Sequence, residues 1–176
     1  ATLRHPYIIS VLDYGFDAEQ VPFFTMNWVE NADYFVTACK KISFERKLDL
    51  VGQTLQALVY LHRRGIIHRD LKPTNVLVQN GQVKVLDFGL ATGDTASQES
   101  DAVVGTLQYI SPEMLRGEGA SFSSDLYAIG LMLYEIFSDA PPYQSYSITQ
   151  LIHEIMNVPP DVTGLDVPAE LQTLIS

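Results

Sequence analysis

The sequence is poor in cysteine, in basic residues and in long apolar runs. Cys39 is the single cysteine, so no disulfide can form within the chain and a reducing compartment is expected. No apolar run approaches the ~20 residues that a membrane-spanning helix needs. The 11 Lys and Arg against 21 Asp and Glu give a net charge of −10. This balance argues against a nucleic-acid-binding surface, and it is more typical of general solubility than of a site for cationic peptides.

The N-terminus has neither an initiator methionine nor a signal sequence. The chain begins Ala1-Thr2-Leu3-Arg4, without a basic region or an apolar signal core. We therefore expect a segment of a longer gene product. Its 176 residues suffice for one well-buried core, since a domain of about 150 residues buries roughly 70% of its unfolded surface.

Two β-branched and aromatic runs occur early in the chain, at residues 7–12 and 22–29. Turn-forming residues lie between them, so the runs predict two antiparallel strands. A two-stranded hairpin is only marginally stable in water. The pair must therefore pack against another element or belong to a larger sheet.

Helical periodicity follows. One apolar stripe advances in steps of three and four residues, and Gly65 follows it as a stop signal. Its members are Phe44, Leu48, Val51, Leu55, Leu58 and His62. A second set predicts a helix that is apolar on most faces, buried in the middle of the domain and ended by Pro141-Pro142. That set is Leu126, Ile129, Leu133, Ile136 and Phe137. A shorter amphipathic helix is predicted from Ile148 to Met156, and a terminal one at residues 169–176.

A small hairpin is predicted between these helices. Val76-Leu77-Val78 and Val83-Lys84-Val85-Leu86 flank a turn at Asn80-Gly81, two residues that tolerate the positive φ angles of tight hairpins. Residues 91–104 are small, polar and without period, which predicts a mobile loop.

Polar residues with a distinct chemistry lie at the two outer ends of this hairpin. His68-Arg69-Asp70-Leu71-Lys72-Pro73-Thr74-Asn75 precedes it, and Asp87-Phe88-Gly89 follows it. The set contains a carboxylate that can position a hydroxyl, a lysine that can neutralise a phosphoryl group, and two oxygen ligands suited to magnesium. Because the hairpin joins the motifs, we expect Asn75 and Asp87 to lie close together.

Both motifs, at this spacing, resemble the eukaryotic-type serine/threonine protein kinases. The resemblance implies that Asp70 is the catalytic base, that Lys72 contacts the γ-phosphate, and that Asn75 and Asp87 bind Mg²⁺. Taken singly, each has an ordinary alternative as a turn, cap or solvated surface residue. By the same resemblance, His68 packs in the core and Phe88 beside it controls the orientation of Asp87.

The resemblance continues on both sides. Gly105–Glu113 resembles the peptide-docking segment, in which Thr106 would bond the Asp70 and Lys72 pair, and Asp125 matches the residue that anchors the catalytic loop. Upstream, the implied adenine pocket consists of Met26 at its back, the hinge Asn27-Trp28-Val29, the floor Leu77, and Asp33 near the ribose. Arg69 implies an anionic loop partner. Three possibilities are open: the partner is Asp101, the partner is Ser100, or the kinase needs no activating phosphate.

The implied fold is α+β and protein-kinase-like. Residues 1–30 would be the remnant of the N-lobe, with two strands and the hinge, and residues 31–176 an incomplete, mainly helical C-lobe. The implied function is transfer of the γ-phosphate of Mg-ATP to Ser or Thr of a protein substrate, and a cytoplasmic location of the kinase is expected. A Gly-rich loop, a strand lysine and a distal arginine partner of Glu113 are absent from the sequence, so the segment alone is expected to be poorly stable and inactive.

Two other interpretations compete with the enzyme. A pseudokinase or scaffold module commonly lacks the base or a metal ligand, whereas Asp70, Lys72, Asn75 and Asp87 are all present. Small-molecule phosphotransferases of related fold are disfavoured, because they lack the peptide-docking segment that Gly105–Glu113 resembles.

Overall fold

The computed structural model describes residues 3–86, 107–145 and 147–175. The strands are β1 (Val11–Phe16), β2 (Pro22–Met26), β3 (Asp33–Tyr34), β4 (Val76–Gln79) and β5 (Gln82–Val85). The helices are α1 (Phe35–Cys39), α2 (Phe44–His62), α3 (Pro112–Leu115), α4 (Phe122–Ser138), α5 (Ile148–Asn157) and α6 (Ala169–Ile175). The predictions for Asp87, Phe88, Gly89, Gly105, Thr106 and the loop 91–104 lie outside the described residues.

The first two strands pair antiparallel, as predicted, but the first one starts later than expected. It begins at Val11 and not at Tyr7. The residues before it bond to β5 instead: Val85 N donates to Tyr7 O at 2.8 Å, and Ile9 N donates to Val85 O at 2.9 Å. Ile8 and Ile9 are both buried although they are adjacent. This segment is therefore fixed by a distant strand rather than by its own hairpin.

The predicted hairpin of β4 and β5 is confirmed. Asn80 and Gly81 form its turn with φ angles of 51° and 76°, as a two-residue hairpin requires. A short strand that the sequence did not indicate, β3, pairs antiparallel with β4 and extends the sheet to the order β3-β4-β5. Helix α2 packs against β5.

Helix α2 spans the predicted residues and is capped at its N-terminus by Ser43, whose Oγ accepts a hydrogen bond from Arg46 N at 3.4 Å. Its buried apolar residues are Leu50, Val51, Ala57, Leu58 and Leu61. The predicted stripe was correct for Val51 and Leu58, while Leu48 is 36% exposed. The stripe thus identified the helix but placed its buried face about one residue off.

Helix α4 starts with a reciprocal capping box between Ser121 and Ser124. Ile129, Leu133 and Ile136 are buried, as predicted. The expectation of burial on most faces was wrong for Leu126, which is 52% exposed. The helix ends before the proline pair, because Asp139 adopts the left-handed conformation at φ 59°.

The main core lies where α2 and α4 pack against the sheet, and the last two helices form where predicted. Leu151 and Ile155 of α5 join Leu131 and Tyr143 in a smaller core. Among the described residues, every helix is too short or too polar to cross a bilayer. The resulting architecture is a mainly helical body with a small sheet, beside which the β1–β2 pair stands.

Candidate active site

Three polar side chains of the loop after α2 contact one another. Lys72 Nζ lies 3.0 Å from Asp70 Oδ2. Asn75 Nδ2 lies 3.0 Å from the same oxygen and donates to Asp70 O at 2.7 Å. Among the described residues no hydrogen bond reaches Asp70 Oδ1, and this side chain is 35% exposed. Within the described residues, the carboxylate is thus fixed through Oδ2 alone.

Asp125 holds the backbone of this loop from below. It is 1% exposed, and its carboxylate accepts from His68 N at 2.9 Å and from Arg69 N at 3.0 Å. His62 Nε2 lies 2.7 Å from the same carboxylate. The predicted anchoring role of Asp125 is confirmed by these contacts. These contacts also offset the backbone strain at Arg69. Its φ of 73° lies in the left-handed region, which costs a non-glycine residue roughly 1–2 kcal/mol.

The loop is tied to the end of the hairpin as well. His68 is 1% exposed, in agreement with its predicted packing role, and its Nε2 lies 2.8 Å from Leu86 O. Leu86 N donates to Asn75 O at 2.9 Å. Asn75 is therefore bonded to the residue that precedes Asp87 in the sequence. Asp87 itself lies outside the described residues.

The chemistry of Asn75 fits a magnesium ligand. Its Nδ2 donates to two oxygens of Asp70, which identifies the amide nitrogen and leaves Oδ1 as the acceptor. No hydrogen bond within residues 3–86, 107–145 or 147–175 uses that oxygen. Magnesium is usually held by one or two protein oxygens together with phosphate oxygens and water. The described residues contain no group of three or more His, Cys, Asp or Glu that could hold a metal by themselves.

A cavity of about 400 Å³ lies between the β1–β2 pair and the sheet. Five residues predicted for the adenine pocket line it: Met26, Asn27, Trp28, Val29 and Leu77. Asn27 N is already bonded to Ser10 O at 3.1 Å. In the described part of the chain, by contrast, no hydrogen bond uses the backbone N–H or C=O of Val29. The cavity thus has apolar walls, which suit a flat heterocycle, and Val29, one of its lining residues, carries a backbone donor and acceptor that no other described residue uses.

The lining also includes residues that the sequence did not single out, among them Ile9, Ala32, Tyr34 and Leu86. Tyr34 pairs with Leu77 across β3 and β4, and both face this cavity. Tyr34 could have been recognised as a lining residue only from the position of β3, which was not predicted.

Asp33 is placed elsewhere. It precedes Tyr34 on β3 and therefore points to the opposite face of the sheet. There it lines a second cavity of about 410 Å³, together with Arg46 and Asp49. Asp33 is not among the residues that line the adenine cavity, although its neighbours Ala32 and Tyr34 are, and its contact with the ribose stays a prediction.

The docking-like segment is described only from Leu107 onward, so Thr106 has no placement. Glu113 Oε1 accepts from Ser124 Oγ at 3.1 Å. Burial opposes ionisation of Glu113, but hydrogen bonds from its own backbone N–H and from Ser124, together with the positive charge of Arg116, outweigh it and lower the pKa of this carboxyl. The end of the segment is thereby attached to the capping box of α4.

His62 is a positioning residue that sequence reasoning missed. The periodicity treated it as the last member of an apolar stripe, but its imidazole contacts Asp125 and stacks on Phe122 with 4.5 Å between ring centroids. The sequence did contain a signal for this role, because His62 is a polar residue at the end of a helix, just before the loop. It links the end of α2 to the anchor of the loop.

Comparison with known proteins agrees with this geometry. Residues 1–172 match the protein kinase domain. A probable serine/threonine-protein kinase of Streptomyces coelicolor is 39% identical, covering 96% of this chain and 26% of its own length. The serine/threonine-protein kinases PknB of Mycolicibacterium smegmatis and Mycobacterium tuberculosis are 37% and 33% identical, each covering 99% of this chain and 30% of their own length. This chain belongs to the protein kinase family.

Proposed function

We propose that the protein is a serine/threonine kinase that transfers the γ-phosphate of Mg-ATP to a hydroxyl of a protein substrate. The observation that carries this proposal is the cluster of Asp70, Lys72 and Asn75, in which one carboxylate oxygen is fixed by two donors. The names of the related kinases support the serine/threonine assignment.

In this proposal Asp70 orients the substrate hydroxyl through Oδ1 and receives the proton as the hydroxyl oxygen bonds to the γ-phosphorus and the bond to the β-phosphate oxygen breaks. Lys72 supplies a positive charge beside the transferring group. Thr106 would hydrogen-bond the Asp70 and Lys72 pair. Asn75 and Asp87 would hold Mg²⁺, and its positive charge would offset negative charge on the phosphate oxygens.

The cavity lined by Met26, Asn27, Val29 and Leu77 would take the adenine. Its volume of about 400 Å³ lies within the usual range for small-molecule sites, and Val29 supplies the free backbone groups.

We further propose that residues 1–30 are the end of an N-lobe and that residues 31–176 are C-lobe. Residues 1–176 alone would transfer little phosphate, since the sequence contains neither a Gly-rich loop nor a strand lysine to hold the other phosphates. A normal transfer rate from this purified segment would contradict that. A cytoplasmic signalling role is also proposed, because the buried free thiol of Cys39 suits a reducing compartment.

The decisive experiment compares Asp70→Asn with Asp166→Asn in the full-length protein. Asp166 is exposed, so the control makes the same chemical change away from the loop. We expect Asp70→Asn to lower peptide phosphorylation by about 10²-fold or more, since general-base and positioning contributions are of that size, and to leave Mg-ATP binding within about twofold. Undiminished turnover in Asp70→Asn would refute the base, and absence of turnover in the unmodified protein would favour the scaffold.

A further inference from the structure

The outer face of α2 and the N-terminal segment enclose a third cavity, of about 350 Å³. We call it the basic cavity. Leu55 and Val59 provide apolar walls, and the polar lining consists of His5, Gln56, Tyr60, Arg63 and Arg64. It shares no lining residue with the adenine cavity or with the cavity beside Asp33. The nucleotide site does not account for it.

Positive charge is concentrated here in a chain whose net charge is −10. Burial is the main cause that lowers the pKa of His5, and the positive charges of Arg64 and Lys84 lower it further. Arg4 lies close by, because its backbone N donates to Tyr60 Oη at 3.0 Å. In the part of the chain that the structure describes, no ion pair includes Arg4, Arg63, Arg64 or Lys84. No carboxylate of the described residues therefore neutralises this cationic charge through an ion pair.

The donors are partly preorganised around Tyr60. The guanidinium carbon of Arg64 lies 3.6 Å from the centroid of the Tyr60 ring, and Arg64 Nη1 donates to Tyr60 O at 3.1 Å. The ring of His5 lies 4.8 Å from that of Tyr60, centroid to centroid. Cations at a helix C-terminus also stabilise the helix dipole. Stabilising the helix C-terminus in this way uses one of the five N–H donors of Arg64. It explains neither the cavity nor the position of His5.

The tautomer of His5 follows from its neighbour. Tyr7 N donates to His5 Nδ1 at 3.3 Å, so the proton of the neutral ring lies on Nε2. His5 therefore offers a single N–H donor when neutral. An anion bound beside it would favour the protonated imidazolium and would counteract the charges of Arg64 and Lys84.

We propose that the basic cavity binds a phosphate monoester dianion. Two guanidinium groups match its two charges and can donate in pairs to its oxygens, His5 supplies a further donor, and Leu55 and Val59 contact the group that carries the phosphate. The phosphate belongs either to a phosphorylated protein side chain or to a small molecule. This site is independent of the kinase function proposed above.

Fluorescence anisotropy tests the site with a fluorescein-labelled peptide Ala-Leu-phosphothreonine-Leu-Ala and its unphosphorylated twin, added to the full-length protein with saturating Mg-ADP, which occupies the nucleotide site without phosphorylating the twin. We expect the phosphopeptide to bind at least about tenfold more tightly than its twin, as charge-assisted hydrogen bonds allow. Competition by inorganic phosphate and by O-phospho-L-threonine distinguishes the sources. Displacement by O-phospho-L-threonine at equal concentration indicates a small-molecule site, and displacement only in large excess indicates a protein side chain.

The variant pair Arg63→Gln with Arg64→Gln should lower phosphopeptide affinity by about tenfold or more. The matched control is Lys40→Gln with Lys41→Gln, another adjacent and exposed basic pair with the same change in charge. The control should change affinity less than about twofold, since exposed distant charges are screened by salt. Equal losses in both pairs, or equal binding of both peptides, would overturn the proposal.

A single variant guards against a folding defect. Arg63→Gln keeps the contact of Arg64 with Tyr60 and should lower phosphopeptide affinity about threefold or more on its own. Nuclear magnetic resonance of the His5 ring supplies a second readout: its pKa should rise when the phosphopeptide binds. An unchanged His5 pKa with bound phosphopeptide would place the ligand elsewhere and overturn the assignment.

Discussion

Substituting Asp125→Asn should weaken both the fold and catalysis. The buried carboxylate accepts from His68 N, from Arg69 N and from the nearby His62. The amide keeps one acceptor oxygen and turns its NH₂ group toward at least one donor. One hydrogen bond to a charged group is lost, at about 1.5–3 kcal/mol, and the others fall to the strength of neutral bonds. The sum is a loss of about 3–5 kcal/mol, which is also the usual cost of breaking a buried ionic contact.

Chemical denaturation of the full-length protein, followed by circular dichroism, measures the loss of stability. Asp166→Asn again serves as the exposed control and should change the free energy of unfolding by no more than about 0.5 kcal/mol. Because Arg69 N loses its acceptor, the adjacent Asp70 is less well positioned, and kcat should fall more than the KM for ATP rises. A destabilisation below about 1 kcal/mol would refute the anchoring role. An unchanged kcat would refute the link to Asp70.

Two further predictions concern single residues of the helical body. Gly52 lies inside α2, where an added Cβ would meet nothing within 4 Å. Gly52→Ala should therefore raise the free energy of unfolding by about 0.5–1 kcal/mol. Gly65→Ala should lower it, because Gly65 has a φ of 71°. Urea denaturation measures both changes, and a lower free energy of unfolding in Gly52→Ala would contradict the open space around Gly52. Burial raises the pKa of the Cys39 thiol to about 11, although Lys47 opposes this. Alkylation of Cys39 by iodoacetamide at about pH 8 should then be roughly a hundredfold slower than that of a free cysteine. Mass spectrometry of the peptide with Cys39 measures the rate, which urea should restore, and rapid alkylation of the folded protein would contradict burial.

Local patterns were sufficient for the elements whose contacts are local. The three-and-four spacing in α2 and the Asn80-Gly81 turn each determine backbone hydrogen bonds within a few residues. The N-terminal segment is different, because Ile9 bonds to Val85 far along the chain. No pattern in residues 7–12 distinguishes that bond from pairing within a hairpin. The exposure of Leu126 likewise depends on which faces of α4 find a packing partner.

For the candidate site, the sequence supplied residue types, and the fold supplied the faces on which they lie. Asp70, Lys72 and Asn75 are close in sequence, so their contact could be anticipated. Asp33 was assigned by position along the chain alone. The unpredicted strand β3 decided its direction, since one residue of shift on a strand exchanges the two faces of a sheet.

The two amides that Asp125 binds have a consequence for how the molecule opens. Backbone amides in a loop usually exchange their hydrogens with solvent quickly, through small fluctuations. Those of His68 and Arg69 are instead bonded to a carboxylate inside the core of α2 and α4. They should exchange as slowly as core amides, only when that core opens. The catalytic loop and the helical core then form one cooperative unit, so damage to distant core packing reduces the fraction of molecules with an assembled active site.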